Sequence, residues 1–259
     1  MNTLYKLGIF LIVLKLACAN TINTNRNEKA TFVFDPAANA TVVPYHGYAS
    51  TPLARQQWCN IQGGFWWPES GSAIPNDMCR LAYQYVRSRG NDGTVQFVQS
   101  MEFAAMAGSN YNDLSHIKNN VIPDTLCGAG AKGQNNFGDK SGMALAGNWQ
   151  KSTLFNNKMD MIFCATAPHE PSFWQVFITK PTFDVATQVL TWNDLDMIYE
   201  RFDVDIELGI FNDCSTLTAY RLEDVTLPAR SNPFIIYIRW QRQDPAGEGF
   251  YNCIDAQFF

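Results

Sequence analysis

Three histidines, His46, His116 and His169, supply every imidazole in this 259-residue chain. A neutral imidazole binds transition metals, and its protonation changes near neutral pH. A lone histidine is more often a packed or surface residue, however, and spacing alone sets none of the three apart. The cysteines carry a firmer signal. Six of the seven (Cys59, Cys79, Cys127, Cys164, Cys214 and Cys253) follow an export-like N-terminus. An even count in an exported chain implies an oxidising compartment and three disulfides, and counting leaves their pairing open. No CxxC pair occurs and histidines are few, which argues against a structural zinc site. No run of Lys and Arg accompanies the net charge of −5, so nucleic-acid binding is set aside.

These residues need a scaffold. Lys6, the apolar stretch 7–14 and Ala17-Cys18-Ala19 read as a signal peptide over residues 1–19, too short to span a bilayer. A secreted chain starting near Asn20 is expected. Residues 20–45 begin polar and Asn-rich, hold Pro36 and Pro44, and include the sequon Asn39-Ala40-Thr41. They read either as a leader with one extra strand at 30–34 or as a pro-segment removed ahead of His46. From His46 to Phe259 there is no linker or repeat, which predicts one domain over 46–259. Charged residues are only 17%, favouring a strand- and loop-rich secreted domain over a helical bundle.

Asn76 caps a helix predicted over 76–89. Residues 93–107 also read as helical, with Val95, Val98, Phe103 and Met106 along one face, and 112–120 as a third short helix. Strands are predicted at 160–165, 174–179, 232–240 and 249–258, with a short helix at 192–199 between them. Helices early and strands late predict a mainly β fold: an immunoglobulin/fibronectin-III-like β-sandwich with a helical insertion between its first strands.

Ordered motifs run through this domain. They start with His46-Gly47-Tyr48, Pro52, Ala54-Arg55-Gln56 and Cys59, then Trp67-Pro68, Ile74-Pro75 and Cys79-Arg80. Met101-Glu102-Phe103-Ala104-Ala105, Thr125-Leu126-Cys127-Gly128-Ala129-Gly130 and Phe137-Gly138-Asp139-Lys140-Ser141-Gly142 follow. His169-Glu170-Pro171, Val176-Phe177-Ile178-Thr179-Lys180, Arg239-Trp240-Gln241-Arg242 and Glu248-Gly249-Phe250-Tyr251-Asn252-Cys253 complete the set. Together they resemble the lytic polysaccharide monooxygenases of the chitin-binding type 4 family, with the nearest look to the viral fusolins (spindle proteins).

The resemblance implies one copper ion held by His46 and His169. His46 would give its backbone amine and a ring nitrogen. An amide nitrogen, its lone pair delocalised into the carbonyl, is a far poorer donor, so a free amine on His46 is required. The resemblance places Phe250 near an axial copper position, Ala167 on the other axial side, and Glu248 where relatives carry an acidic or amide group near the metal. Taken alone, Phe250 reads as a core residue of a terminal strand, and Glu248 reads equally well as a solvated loop carboxylate. Met101, Glu102 and Phe103 fall at substrate-contact positions, although Phe103 also suits a helix core; Trp58, Trp66 and Trp67 stay undecided between surface and core. His116 receives no ligand role. The disulfides implied are Cys59–Cys79 and Cys127–Cys253, leaving Cys164–Cys214. The implied activity is oxidative cleavage of crystalline chitin by a secreted, flat-surfaced monomer fed by an external electron donor. Cellulose is the alternative substrate, and chitin binding without catalysis is the alternative function if residues 20–45 are retained.

Overall fold

The fold is built on runs of β-branched and aromatic residues that are apolar on both faces, the pattern of strands buried between layers. The computed structural model describes residues 46–133 and 137–259. The signal peptide, the 20–45 segment and its sequon lie outside the described residues. In chain order the strands are β1 (Gly47–Thr51), β2 (Ala104–Met106), β3 (Ser152–Leu154), β4 (Lys158–Ala165) and β5 (Ser172–Thr179). They continue with β6 (Leu195–Phe202), β7 (Ile206–Leu208), β8 (Thr218–Thr226), β9 (Phe234–Arg242) and β10 (Glu248–Phe258). One sheet has the order β1-β4-β8-β7; the other has β2-β10-β9-β5-β6, with β3 pairing parallel to the end of β10.

Between the sheets lies a core of Phe163, Trp174, Tyr220, Ile236, Trp240 and Phe250. Burying one such side chain is worth about 1.5–3 kcal/mol. A second apolar cluster includes Phe65, Phe97, Phe103, Trp149, Trp192 and Tyr237. It anchors the helical insertion between β1 and the later strands: α1 (Arg55–Gln62), α2 (Asp77–Ser88), α3 (Val95–Val98) and α4 (Leu114–His116). Asn76 caps α2, its side-chain oxygen accepting from the Met78 and Cys79 amides at 3.0 and 3.1 Å. The disulfides are Cys59–Cys79, Cys127–Cys253 and Cys164–Cys214. They tie α1 to α2, the insertion to β10, and β4 to the loop before β8.

Two expectations need correcting. The helix over 93–107 survives only as α3, because Ala104–Met106 instead pairs with Phe250, Gly249 and Glu248 of β10. The helix over 192–199 is a single 3-10 turn, Trp192–Asp194, after which Leu195–Phe202 pairs along β5. In both places hydrogen bonding to a neighbouring strand, for Ala104–Met106 one far along the chain, overrides local periodicity. Helix α1 and strand β8 had no prediction.

Candidate metal centre

His46 immediately precedes β1, whose first residue, Gly47, pairs with Ala165 of β4. A Cβ at Gly47 would lie 2.5 Å from the Phe163 ring and 2.6 Å from the Cys164 carbonyl oxygen. Glycine therefore lets β1 approach β4 at this point. The His46 carbonyl accepts from the Ala167 amide at 3.1 Å and the Thr166 hydroxyl at 2.9 Å. Ala167 thus sits beside His46, on the same loop as His169. That loop is fastened by Tyr220, whose hydroxyl accepts from the His169 amide at 2.9 Å and donates to the His169 carbonyl at 3.0 Å.

The two imidazoles flank a stacked aromatic pair. Trp240 and Phe250 lie with ring centroids 4.8 Å apart. The His46 ring meets Phe250 edge-on at 6.2 Å, and the His169 ring lies 6.0 Å from Trp240. Strand alternation explains half of this floor: Trp240 and Arg242 share one face of β9, while Arg239 and Gln241 point the other way. Burial, reinforced by the Arg242 and His46 charges and opposed by Asp244, lowers the His169 pKa to about 4. His169 is therefore neutral at physiological pH, the form in which an imidazole binds metal.

Two carboxylates stand close by, and their surroundings push them in opposite directions. Glu102 Oε1 lies 3.1 Å from His46 Nε2. Burial would raise its pKa, but the His46 hydrogen bond and the Lys140 and His46 charges outweigh burial and hold it below the ordinary value. Glu248 accepts from Arg242 Nη1 at 2.7 Å. There burial prevails over the pull of Arg242 and His46, and the carboxyl is raised.

The structure brings together His46, His169, Ala167, Phe250, Glu102 and Glu248. Phe103 does not join them: it is fully buried, so it packs the core and presents no face to a polymer. Met101 is half-buried, and its carbonyl accepts from the Gly47 amide at 2.9 Å. Met106, expected on a buried helix face, is 49% exposed in β2. Trp66 and Trp67 are exposed, at 71% and 75%. His116 lies 3.2 Å from the Ala107 carbonyl through Nε2, a packing contact. Sequence reasoning assigned no role to Trp240, Arg242, Lys140 or Tyr220. The alternation of β9 carried a signal for the first two; Lys140 and Tyr220 had none.

Among the described residues, no cluster of three His, Cys, Asp or Glu side chains could hold a metal ion. A centre here would have two imidazoles, with the His46 main-chain nitrogen as the third nitrogen donor once it is a free amine. Two imidazole nitrogens beside an apolar floor suit copper or zinc better than oxygen-seeking cations, so the donor set fits the implied metal.

The fold is thus a β-sandwich that carries paired histidines and an aromatic floor at one end. Residues 46–256 match the family described as "Lytic polysaccharide mono-oxygenase, cellulose-degrading", and the chain belongs to that family. It is 40% identical to spindolins of Choristoneura biennis and Heliothis armigera entomopoxviruses; the matches cover 83% and 82% of this chain, and 70% and 66% of those proteins. An entomopoxvirus fusolin solved in complex with zinc superposes with a TM-score of 0.77 at 42% identity, covering 83% of this chain and 76% of that one. A Cellvibrio japonicus lytic polysaccharide monooxygenase, described as important for efficient utilization of chitin, gives a TM-score of 0.57 at 26% identity over 83% of this chain and 100% of that one. No helix among the described residues is long and apolar enough to cross a membrane.

Proposed function

We propose that the chain is a secreted copper-dependent monooxygenase that cleaves chitin oxidatively once residues 20–45 have been removed. The observation that carries this reading is the convergence of His46 and His169 on one stacked Trp240–Phe250 floor. The family match beginning at His46 supports the mature start. The Cellvibrio relative, described as important for efficient utilization of chitin, favours chitin over cellulose.

Bound copper would supply one-electron redox chemistry toward oxygen or peroxide, fed by an external electron donor. The chain's own residues do the rest. The His46 amine, its ring and the His169 ring would hold the ion. The Phe250 ring, edge-on to His46, would present apolar surface to the ion, and Ala167, beside His46, adds only a methyl group. Glu248, with its pKa raised by burial, retains a proton to higher pH than an exposed carboxyl and would pass it on. A monomer docking flat on the polymer needs no deep pocket.

Intact-mass measurement of the secreted protein tests the start. A mass beginning at His46, micromolar or tighter copper binding, and copper-dependent release of oxidised oligosaccharides from crystalline chitin are expected. A mature start at Asn20 with no such products would leave chitin binding without catalysis.

A further inference from the structure

The two ring nitrogens of His46 face different tasks. Its main-chain nitrogen and Nδ1 are close enough in the covalent skeleton to close a small chelate ring on one metal, whereas Nε2 sits on the far edge of the imidazole. That far nitrogen is the one 3.1 Å from Glu102 Oε1. The contact is a hydrogen bond to an ionised carboxylate only when Nε2 carries the hydrogen, since the carboxylate is acceptor-only. The Nε2–H tautomer of a neutral imidazole leaves the Nδ1 lone pair bare.

Glu102 is itself supported. Lys140 is fully buried, and a buried cation is rare unless paired. Its ammonium donates to the Glu102 main-chain carbonyl. It also lies 5.1 Å from the centre of the Phe103 ring and 5.9 Å from that of Phe137. The consecutive residues Glu102 and Phe103 thus enclose one positive charge, and the carboxylate of Glu102 is the group whose charge acts on it.

We infer that Lys140 and Glu102 form a charged support that fixes the His46 imidazole as its Nε2–H tautomer and so presents Nδ1 and the main-chain nitrogen together to the metal. Glu102 is a positioning residue here rather than a substrate contact. The inference rests on the proposed copper site at His46, and its test separates the two.

The experiment uses protein beginning at His46, as wild type, Glu102→Gln, Glu102→Asp, Lys140→Met and Lys140→Arg. Long-range nitrogen–proton NMR of the copper-free protein, recorded where His46 is neutral, reads its tautomer. Wild type is expected as Nε2–H. Glu102→Gln, whose amide can donate to Nε2, is expected to populate the Nδ1–H form measurably. Copper affinity, measured by chelator competition, should fall roughly 10- to 100-fold in Glu102→Gln, as for other groups that orient a metal-binding histidine. Glu102→Asp should recover part of the loss. Lys140→Met should lose less than Glu102→Gln, and Lys140→Arg should restore it. A folded Glu102→Gln protein with wild-type tautomer and wild-type affinity overturns the inference. If Lys140→Met does not fold, Glu102→Gln decides, because Glu102 is partly exposed. Wild type that holds the Nε2–H tautomer but binds no copper would remove the copper reading and leave the support standing.

Discussion

Strand β10 carries a charged residue near each end, and the two are treated differently. Toward its C-terminus, Asp255 receives Arg55 Nε and Nη2 on separate oxygens, both at 2.7 Å. Arg55 Nη1 donates to the Met143 carbonyl at 2.5 Å, and the guanidinium lies 4.3 Å from the centre of the Trp149 ring. Both side chains are 3% exposed. Every strong valence there is used inside the protein. At the other end, Glu248 and its neighbour Glu102 sit among His46, His169, Arg242 and Lys140, and the carboxyl pKa values are pushed apart. Groups driven in opposite directions within one cluster mark acid–base or ligand chemistry more often than structural pairing. The closed end stiffens the strand; the open end gathers the groups that the proposed metal site would use.

His169→Ala should break the open end most completely. Tight copper binding is expected to disappear, while stability changes by about 1 kcal/mol or less, because Tyr220 holds that loop through main-chain atoms. Copper titration together with urea unfolding reads both. Retained affinity would mean the second imidazole is not a ligand. Arg55→Leu should do the reverse. It strands a buried carboxylate and is expected to cost about 3–5 kcal/mol in urea unfolding, with copper affinity of the folded protein unchanged. An affinity loss without a stability loss would erase the distinction between the two ends. Glu248→Gln keeps the shape and removes the titrating group. Chitin oxidation is expected to slow on the order of 100-fold with copper affinity retained. Unaltered turnover would reassign Glu248 to pairing with Arg242 alone.

How far these ends could be read from residues alone differs in the same way. The aromatic- and β-branched-rich stretches of β5, β9 and β10 announce strands, and Asn76 announces a helix start. Residues 93–107 mislead because Val95, Val98, Phe103 and Met106 fit a helical face, whereas the partner that makes Ala104–Met106 a strand lies near the end of the chain. Leu195–Phe202 misleads because it is a mostly exposed edge strand whose register comes from β5. Family resemblance located His46, His169 and Phe250. It could not say that consecutive Met101, Glu102 and Phe103 divide between a backbone contact, the His46 ring and the core. Lys140, 38 residues from Glu102, has no local pattern that reveals its burial.

Lys140 supplies the smallest expected effect and a separate handle on the open end. Burial, opposed by the Glu102 charge, pushes its ammonium down from 10.5 to about 8. Between those values the unfolded chain still binds a proton that the native protein has released. Stability therefore rises with pH across that window, and below about 8 both states are protonated and the slope vanishes. Tyr220, Tyr237 and Tyr251, all raised by burial, pull the other way above 10, so the comparison must be made against Lys140→Met. In metal-free protein, urea unfolding should show wild type gaining about 1 kcal/mol on the variant over the first pH unit above 8. A flat difference would mean that Lys140 keeps its proton and is paired as fully as Arg55, and the open end would then be smaller than the geometry around His46 indicates.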